Sequence, residues 1–390
     1  MANEQFDVIV VGGGMVGAAL AARLAQVDIK VALVEARQPA PFDPAADYDL
    51  RVSALSGASQ QFLQETGAWE YIEARRLCRY TDMRVWEDDA SPELHFSALE
   101  MGRVSLGHII ENTLIIDALW QHLESVRCYC PAAIAGLDVA EAQATVTLED
   151  GTSLQTALVV AADGGRSATR ALAGIETFGW SYKQQGIVAV VKTATSHEST
   201  AWQRFLHTGP LAFLPLDDGR CSIVWSATES LAGELLELGD RAFCARLTEA
   251  SQGRLGEVLS CGPRAAFPLQ LSQAERYVQP RLVLVGDAAH VIHPLAGQGV
   301  NLGFGDAACL AELLTEAKKA RRDLGGFKLL RRYERARKAE DALMARTTDA
   351  LNRLYASDDR LLKLGRRQGV RAVNVLQPLK TALMRHAIGQ

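Results

Sequence analysis

Three short segments carry residue types able to grip a phosphorylated, sugar-bearing cofactor. The first is Gly12-Gly-Gly-Met-Val-Gly17, between the apolar run Phe6-Asp-Val-Ile-Val-Val11 and an Ala-rich stretch ending near Gln26. In such a strand–turn–helix, Gly12 permits the tight bend, Gly14 lets backbone approach a pyrophosphate, and Gly17 lets the helix pack on the strand. The helix opening at Met15 offers N–H groups and a partial positive charge to that phosphate. Glu35 closes the run Lys30-Val-Ala-Leu-Val-Glu35, with Arg37 just beyond it. A carboxylate there accepts hydrogen bonds from ribose hydroxyls and repels a 2′-phosphate.

The second segment is Ala162-Asp-Gly-Gly-Arg-Ser-Ala-Thr-Arg170. Asp163 and Gly164 at a strand end are candidates for the cofactor cleft. Spacing alone favours a plainer reading, a turn in which Ser167 caps a helix. The third segment is Arg281-Leu-Val-Leu-Val-Gly-Asp-Ala-Ala-His290, followed by Pro294-Leu-Ala-Gly-Gln-Gly299. Asp287 suits a sugar-like polyol such as a ribityl chain. The small residues from Pro294 through Gly297 to Gly299 let backbone touch a planar ring. Val300 and Asn301 then open a helix whose positive end would stabilise negative charge on a reduced ring. One cofactor clamped at both ends by segments 270 residues apart is a flavin dinucleotide, FAD. His290 and His293 read as buried, satisfied histidines rather than catalytic bases.

The surrounding elements must bring these segments together. Residues 6–11, a helix over 15–26 and the strand 30–35 form one βαβ unit of about 30 residues. Further along, helices are expected over 56–63 and 109–123, strands at 83–87, 94–96, 145–148 and 157–162. From about 179 to 271 the pattern becomes hairpin-like: strands at 186–192, 212–216 and 221–227, a helix over 240–250, extended chain at 265–269. From Gly305 onward the chain reads as helical to its end. The fold class reads as α/β, a Rossmann-like domain with an inserted antiparallel sheet and a helical C-terminus; the family resemblance given below implies that the first is the FAD-binding domain and the second the substrate domain. The expected division is 1–78, 104–178 and 276–350 for the first, 79–103 and 179–275 for the second, and 351–390 for the C-terminal region.

The 390 residues suffice for two connected domains, and 48% hydrophobic with 22% charged residues is ordinary for a globular protein. Seven scattered cysteines without a Cys-x-x-Cys pair argue against a disulfide framework or zinc site. With no secretion signal or apolar span evident, a cytoplasmic protein is expected, peripheral at the inner membrane face. The net charge of −5 hides an asymmetry: residues 318–390 hold 19 Lys/Arg against 7 Asp/Glu. That basic quarter is either a set of solvated helix faces or a surface for anionic lipid or an acidic partner. No nucleic-acid partner and no metal are expected.

Taken together, the three segments resemble the class A FAD-dependent aromatic hydroxylases, the family of p-hydroxybenzoate hydroxylase. Asp49-Leu-Arg-Val-Ser-Ala-Leu-Ser56, Leu106-Gly-His-Ile-Ile-Glu-Asn112, Phe213-Leu-Pro-Leu216 and His293-Pro-Leu-Ala-Gly-Gln-Gly-Val-Asn-Leu-Gly303 are similar to the ubiquinone-biosynthesis hydroxylases. Pro39-Ala-Pro-Phe42, Trp202-Gln-Arg-Phe205 and Tyr277-Val-Gln-Pro280 look most like the branch acting on a polyprenylated methyl-methoxy-benzoquinol. The resemblance implies that Gly12, Gly14, Gly17 and Glu35 hold the ADP half of FAD, that Arg51 reaches the pyrophosphate, and that Asp287 binds the ribityl chain. It also implies that Pro294 to Asn301 line the isoalloxazine. Many members carry Arg where Asn112 stands, a departure in the helix contact to the flavin.

The implied reaction is a monooxygenation. NAD(P)H, docking transiently, reduces FAD; O2 then gives a flavin hydroperoxide that hydroxylates a prenylated phenol or quinol. Alternatives stay open: the sister enzyme acting at the neighbouring ring position, a flavin-dependent isoprenoid reductase, and a non-catalytic subunit among other ubiquinone-biosynthesis proteins. A halogenase lacks support because its Trp-x-Trp-x-Ile-Pro signature is missing. A plain NAD dehydrogenase leaves the Asp287 segment unexplained.

Overall fold

The computed structural model describes residues 4–88, 91–292, 299–356 and 359–375. Its first sheet is built on the apolar, β-branched strand Glu4–Val11, buried from Val8 on. This strand pairs in parallel with Val31–Val34 on one side and Ser153–Ala161 on the other. Arg127–Tyr129 extends the sheet beyond Val31–Val34, and Leu282–Leu284 extends it beyond Ser153–Ala161, again in parallel. The registers put Val11 opposite Val34 and Ala161, and Ala161 opposite Leu284. The carboxyl ends of four strands thus share one edge, and Gly12, Glu35, Asp163 and Asp287 follow directly from them. In open parallel sheets that edge is where ligands bind.

Helices Met15–Ala25 and Gly299–Lys319 pack on this sheet, together with the long helix Phe327–Ala356. A second, mostly antiparallel sheet runs in the order His290–Val291, Val258–Ala274, Thr177–Thr193, Cys221–Thr228, Gly209–Pro215, Thr200–Leu206, Asp82–Trp86, Leu94–Ser97. One face of it is covered by helices Glu229–Glu237 and Asp240–Ala250. The other meets a small sheet of Val52–Leu55, Gly107–Glu111 and Cys78–Tyr80. His290–Val291 pairs with Ser272 and Gln273, so the chain passes from the parallel sheet to the antiparallel one just after Asp287.

Two expectations need correction. Residues 109–111 belong to a strand, and the helix runs only over Asn112–Trp120. Gly107-His-Ile-Ile-Glu111 is apolar and β-branched, and it finds pairing partners on both sides in Val52–Leu55 and Cys78–Tyr80. Tertiary pairing overrides the helical spacing. The helical tail is not continuous to its end: it breaks at residues 320–326 and again before Arg360–Val375. No helix among the described residues is long and apolar enough to cross a membrane.

Candidate functional site

The first glycine turn is fixed by excluded volume. Gly12 has φ +105°, and a Cβ there would lie 2.3 Å from the Ala162 carbonyl oxygen. A Cβ on Gly17 would lie 1.9 Å from the Gly12 carbonyl oxygen. At Gly14 a Cβ would meet nothing within 4 Å, so backbone faces open space at the mouth of helix Met15–Ala25. That is the cradle a pyrophosphate needs. Glu35 stands beside it: Gly13 N–H donates to Glu35 Oε2 at 2.5 Å and Arg37 N–H donates to Glu35 Oε1 at 2.9 Å. The carboxylate is thereby aimed with acceptor capacity to spare, while the Arg37 side chain is exposed. Gly13, which no spacing rule singles out, is equally constrained. Trp120 Nε1 donates to its carbonyl at 2.8 Å, and a Cβ on Gly13 would lie 2.7 Å from the Trp120 ring.

The loop after Ala161 shows the capping geometry. Ser167 caps helix Ala168–Leu172 by accepting from Arg170 N–H, and the Asp163 carboxylate accepts from Ser167 Oγ, Thr169 N–H and Thr169 Oγ1. Gly164 takes φ +80° and a Cβ there would meet open space. Arg170 reaches across, donating to the carbonyls of Gly165 and Ala288 at 2.8 Å each. It ties this loop to the single turn Gly286–Ala288 that carries Asp287.

Asp287 is reached by solvent, yet the protein mass around it pushes its carboxyl pKa up, with His290 and Arg51 pulling it back. Arg51 is exposed, stands 5.3 Å from the Phe267 ring centroid, and follows a loop braced by Glu111. Buried Glu111 accepts from Asp49 N–H at 2.7 Å and takes a two-pronged ion pair from Arg76, a brace no spacing rule exposes. Asn301 on helix Gly299–Lys319 accepts from Ser56 N–H (2.9 Å) and Ser59 Oγ (2.6 Å) and donates to Ala54 O (2.8 Å). Its side chain clips this helix to strand Val52–Leu55. The neighbouring Val300 is partly buried against the main core. Asn112 makes no arginine-like contact; its Oδ1 accepts from Ser53 Oγ at 2.7 Å. Of the remaining expected residues, His293, Pro294 and Gly297 lie outside the described residues.

Beneath Asp287 is a buried charge network. Asp306 accepts from Gly286 N–H at 2.9 Å, from His290 Nε2 at 2.7 Å and from Arg337 Nε at 2.7 Å. Arg337 also reaches Asp341 at 3.2 Å, and Asp341 lies 3.4 Å from His290. Burial alone would lower the His290 pKa, but the carboxylates of Asp306, Asp341 and Asp287 raise it to about 9. Burial pushes Asp341 up, while His290 and Arg337 hold Asp306 down against the same effect. Arg337 fills the space between the two aspartates, so the cluster is an ion-pair network and not a cation cage. His290 is buried and satisfied, as its neighbours in sequence suggested; Asp306, Arg337 and Asp341 were missed. The i, i+4 spacing of Arg337 and Asp341 was the only available signal, and surface pairs share it.

The deciding contact joins the two glycine segments. Val16, inside the first turn's helix, packs so closely on the later segment that a Cβ on Gly303 would lie 2.6 Å from it and one on Gly286 3.3 Å. The FAD binding domain family model matches residues 5–348. The chain belongs to this family. Among its relatives, "Ubiquinone hydroxylase UbiL" of Rhodospirillum rubrum is 38% identical over 393 residues, covering 100% of this chain and 90% of that protein. "3-demethoxyubiquinol 3-hydroxylase" of Escherichia coli is 35% identical over 394 residues, covering the whole of both chains. In the same fold, the crystal structure of p-nitrophenol 4-monooxygenase PnpA from Pseudomonas putida superposes with a TM-score of 0.78 at 17% identity, over 99% of each chain. The cofactor of this flavoprotein is FAD. The residues present fit it: an open glycine cradle, an aimed carboxylate at Glu35 and a second carboxylate at Asp287 line one sheet edge.

Proposed function

We propose that this flavoprotein hydroxylates the aromatic ring of a polyprenylated phenol or quinol on the way to ubiquinone, using O2 and NAD(P)H as reductant. The observation that carries the proposal is the meeting of Val16 with Gly286 and Gly303, which sets the two glycine segments side by side and supports one cofactor held by both. Relatives named as ubiquinone-pathway hydroxylases over the full chain support the substrate class. When bound, FAD supplies the redox and oxygen chemistry.

This chain's residues then divide the work. In this reading, Gly12, Gly14 and the N–H groups following Met15 hold the pyrophosphate, with Arg51 as countercharge. Glu35, with Arg37 at its side, holds the adenosine ribose, and Asp287 holds the ribityl hydroxyls. Asp163 and Gly164 border the cleft, the aspartate through the turn it organises. Pro294, Gly297, Gly299, Val300 and Asn301 flank the flavin ring, Asn301 by fixing the helix end. The division at 79–103 and 179–275 makes the antiparallel sheet the substrate-bearing domain.

The apolar face of that sheet excludes water from the reacting ring. Membrane contact would draw on the basic tail, although two of its arginines are already paired: Arg366 with Glu87 and Arg367 with Asp88, just past strand Asp82–Trp86. Deleting the gene and identifying the accumulated quinone precursor by mass spectrometry tests the reading. A prenylated methyl-methoxy-benzoquinol supports the preferred ring position, a less substituted phenol moves the assignment to the sister step, and an unchanged quinone pool overturns it.

A further inference from the structure

Resting on the reading of a prenylated ring substrate, we propose that its tail leaves the cleft along an apolar seam. The seam starts at a cavity between the small three-stranded sheet and the antiparallel sheet, passes Met83, Phe96 and Met101, and opens at a lip formed by Leu99 and Val104. The cavity, about 20 Å³, is lined by Ala54, Tyr80, Met83, Ile109, Ala212 and Leu214. Ala54 belongs to the strand whose carbonyl Asn301 clasps, so the inner end adjoins the flavin-side helix. Tyr80 and Met83 pack against two apolar clusters at once: the one around the cavity, and a second formed by Ala98 and Leu106 with Phe96 and Met101. The apolar path is therefore unbroken from the cavity to the outer strand of the sheet.

The outer end is unusual. Residues 98–106 form a turn pinned at both ends, Ala98 N–H donating to Thr81 O at 2.8 Å and Leu106 N–H to Tyr80 O at 3.0 Å. The turn also closes on itself through Arg103 N–H to Ala98 O at 2.9 Å. On this held turn Leu99 is 85% exposed and Val104 74%. Leaving both in water forgoes the gain of burying them. An ordered turn that presents two large apolar side chains marks a binding surface more than a loose loop tip.

The shape of the seam selects its occupant. It runs from a small cavity, lined mainly by apolar side chains with Trp202 and Gln203 among them, through packed apolar residues to side chains standing in water, so its ligand is thin, long and apolar, with an end that continues outside the protein. A polyisoprenoid chain has that form, and an aromatic ring or a peptide does not. Met83 and Met101 are unbranched and turn about three bonds, so they can part for the chain and close behind it.

The test uses the full-length, FAD-loaded protein. Two substrates share one quinol ring, the first with a long polyprenyl tail and the second with a methyl group in its place. Met101→Trp fills the seam outside the cavity. Its kcat/KM for the tailed substrate is expected to fall about tenfold or more, with the tail-less substrate nearly unchanged. Met101→Leu should restore the tailed reaction. Equal loss for both substrates, or loss for neither, overturns the seam. A second measurement needs no variant and no turnover: a polyprenyl chain carrying a photoreactive group at its far end should label residues 96–106 of the unmodified protein. Labelling confined elsewhere overturns the route. Failure of the wild-type protein to hydroxylate either substrate would reject the hydroxylase reading instead, with the labelled residues still deciding the seam.

Discussion

The two turns proposed to flank the cofactor are held by opposite physics. At Gly12–Gly17 the hold is steric: backbone and side chains approach to distances that forbid even a methyl group, and Trp120 locks Gly13 from behind. At Gly286–Ala288 the hold is electrostatic. Asp306 takes the Gly286 N–H while sharing charge with His290, Arg337 and Asp341 in a buried network. Excluded volume does not titrate, but a buried network with a raised histidine and a raised aspartate does. One half of the flavin grip should therefore be indifferent to pH and the other half responsive to it.

Breaking the charged side should have the largest effect. Arg337→Ala leaves Asp306 and Asp341 buried with only His290 as countercharge, and a broken buried pair costs about 3–5 kcal/mol. A large drop in Tm with loss of the visible flavin absorbance is the expected result. The pH dependence sharpens the same point. The His290 pKa in the folded protein, about 9, lies above its ordinary value, so its contribution is complete below about pH 6.5 and is lost as pH rises through 9. That loss amounts to roughly 3 kcal/mol, and the raised Asp341 acts in the same direction at lower pH. Thermal melts should show stability falling between pH 6.5 and 9.5, and His290→Gln should flatten the curve.

On the steric side, Gly17→Ala forces a methyl group onto the Gly12 carbonyl. It should cost about 3 kcal/mol, the upper end for overpacking. Unlike the charged variants, its deficit in FAD retention should be the same at pH 6.5 and 9. Asn301→Ala removes one side chain that makes three hydrogen bonds between the flavin-side helix and residues 54–59, for about 1–3 kcal/mol. Ser167→Ala, at a helix cap off both turns, should cost only about 1 kcal/mol and leave FAD affinity unchanged in fluorescence titration.

Much of the cleft was legible in the sequence because its demands are local. A βα turn that must approach a phosphate needs glycines at fixed offsets, and a strand that must be buried on both faces needs the run found at residues 6–11. The strand at 107–111 was not legible as such. Its Ile109-Ile110 pair fits a helix or a strand, and only partners more than 25 residues away in sequence chose between them. The charge of the tail suits either solvated helix faces or a surface for an anionic partner, and composition does not show that Arg337 and Arg366 are buried in ion pairs with acids from other elements.

By itself, the sequence determined the parallel unit, the glycine turns at its strand ends and the family, because these follow from backbone geometry within a few consecutive residues. The tertiary structure alone decided that Val16 meets Gly286 and Gly303, that Asp306 and Arg337 hold the Asp287 turn, and that Met83 and Met101 pack into one apolar cluster. Those contacts join residues far apart along the chain, and charge pairing and close packing leave no periodicity from which to read them.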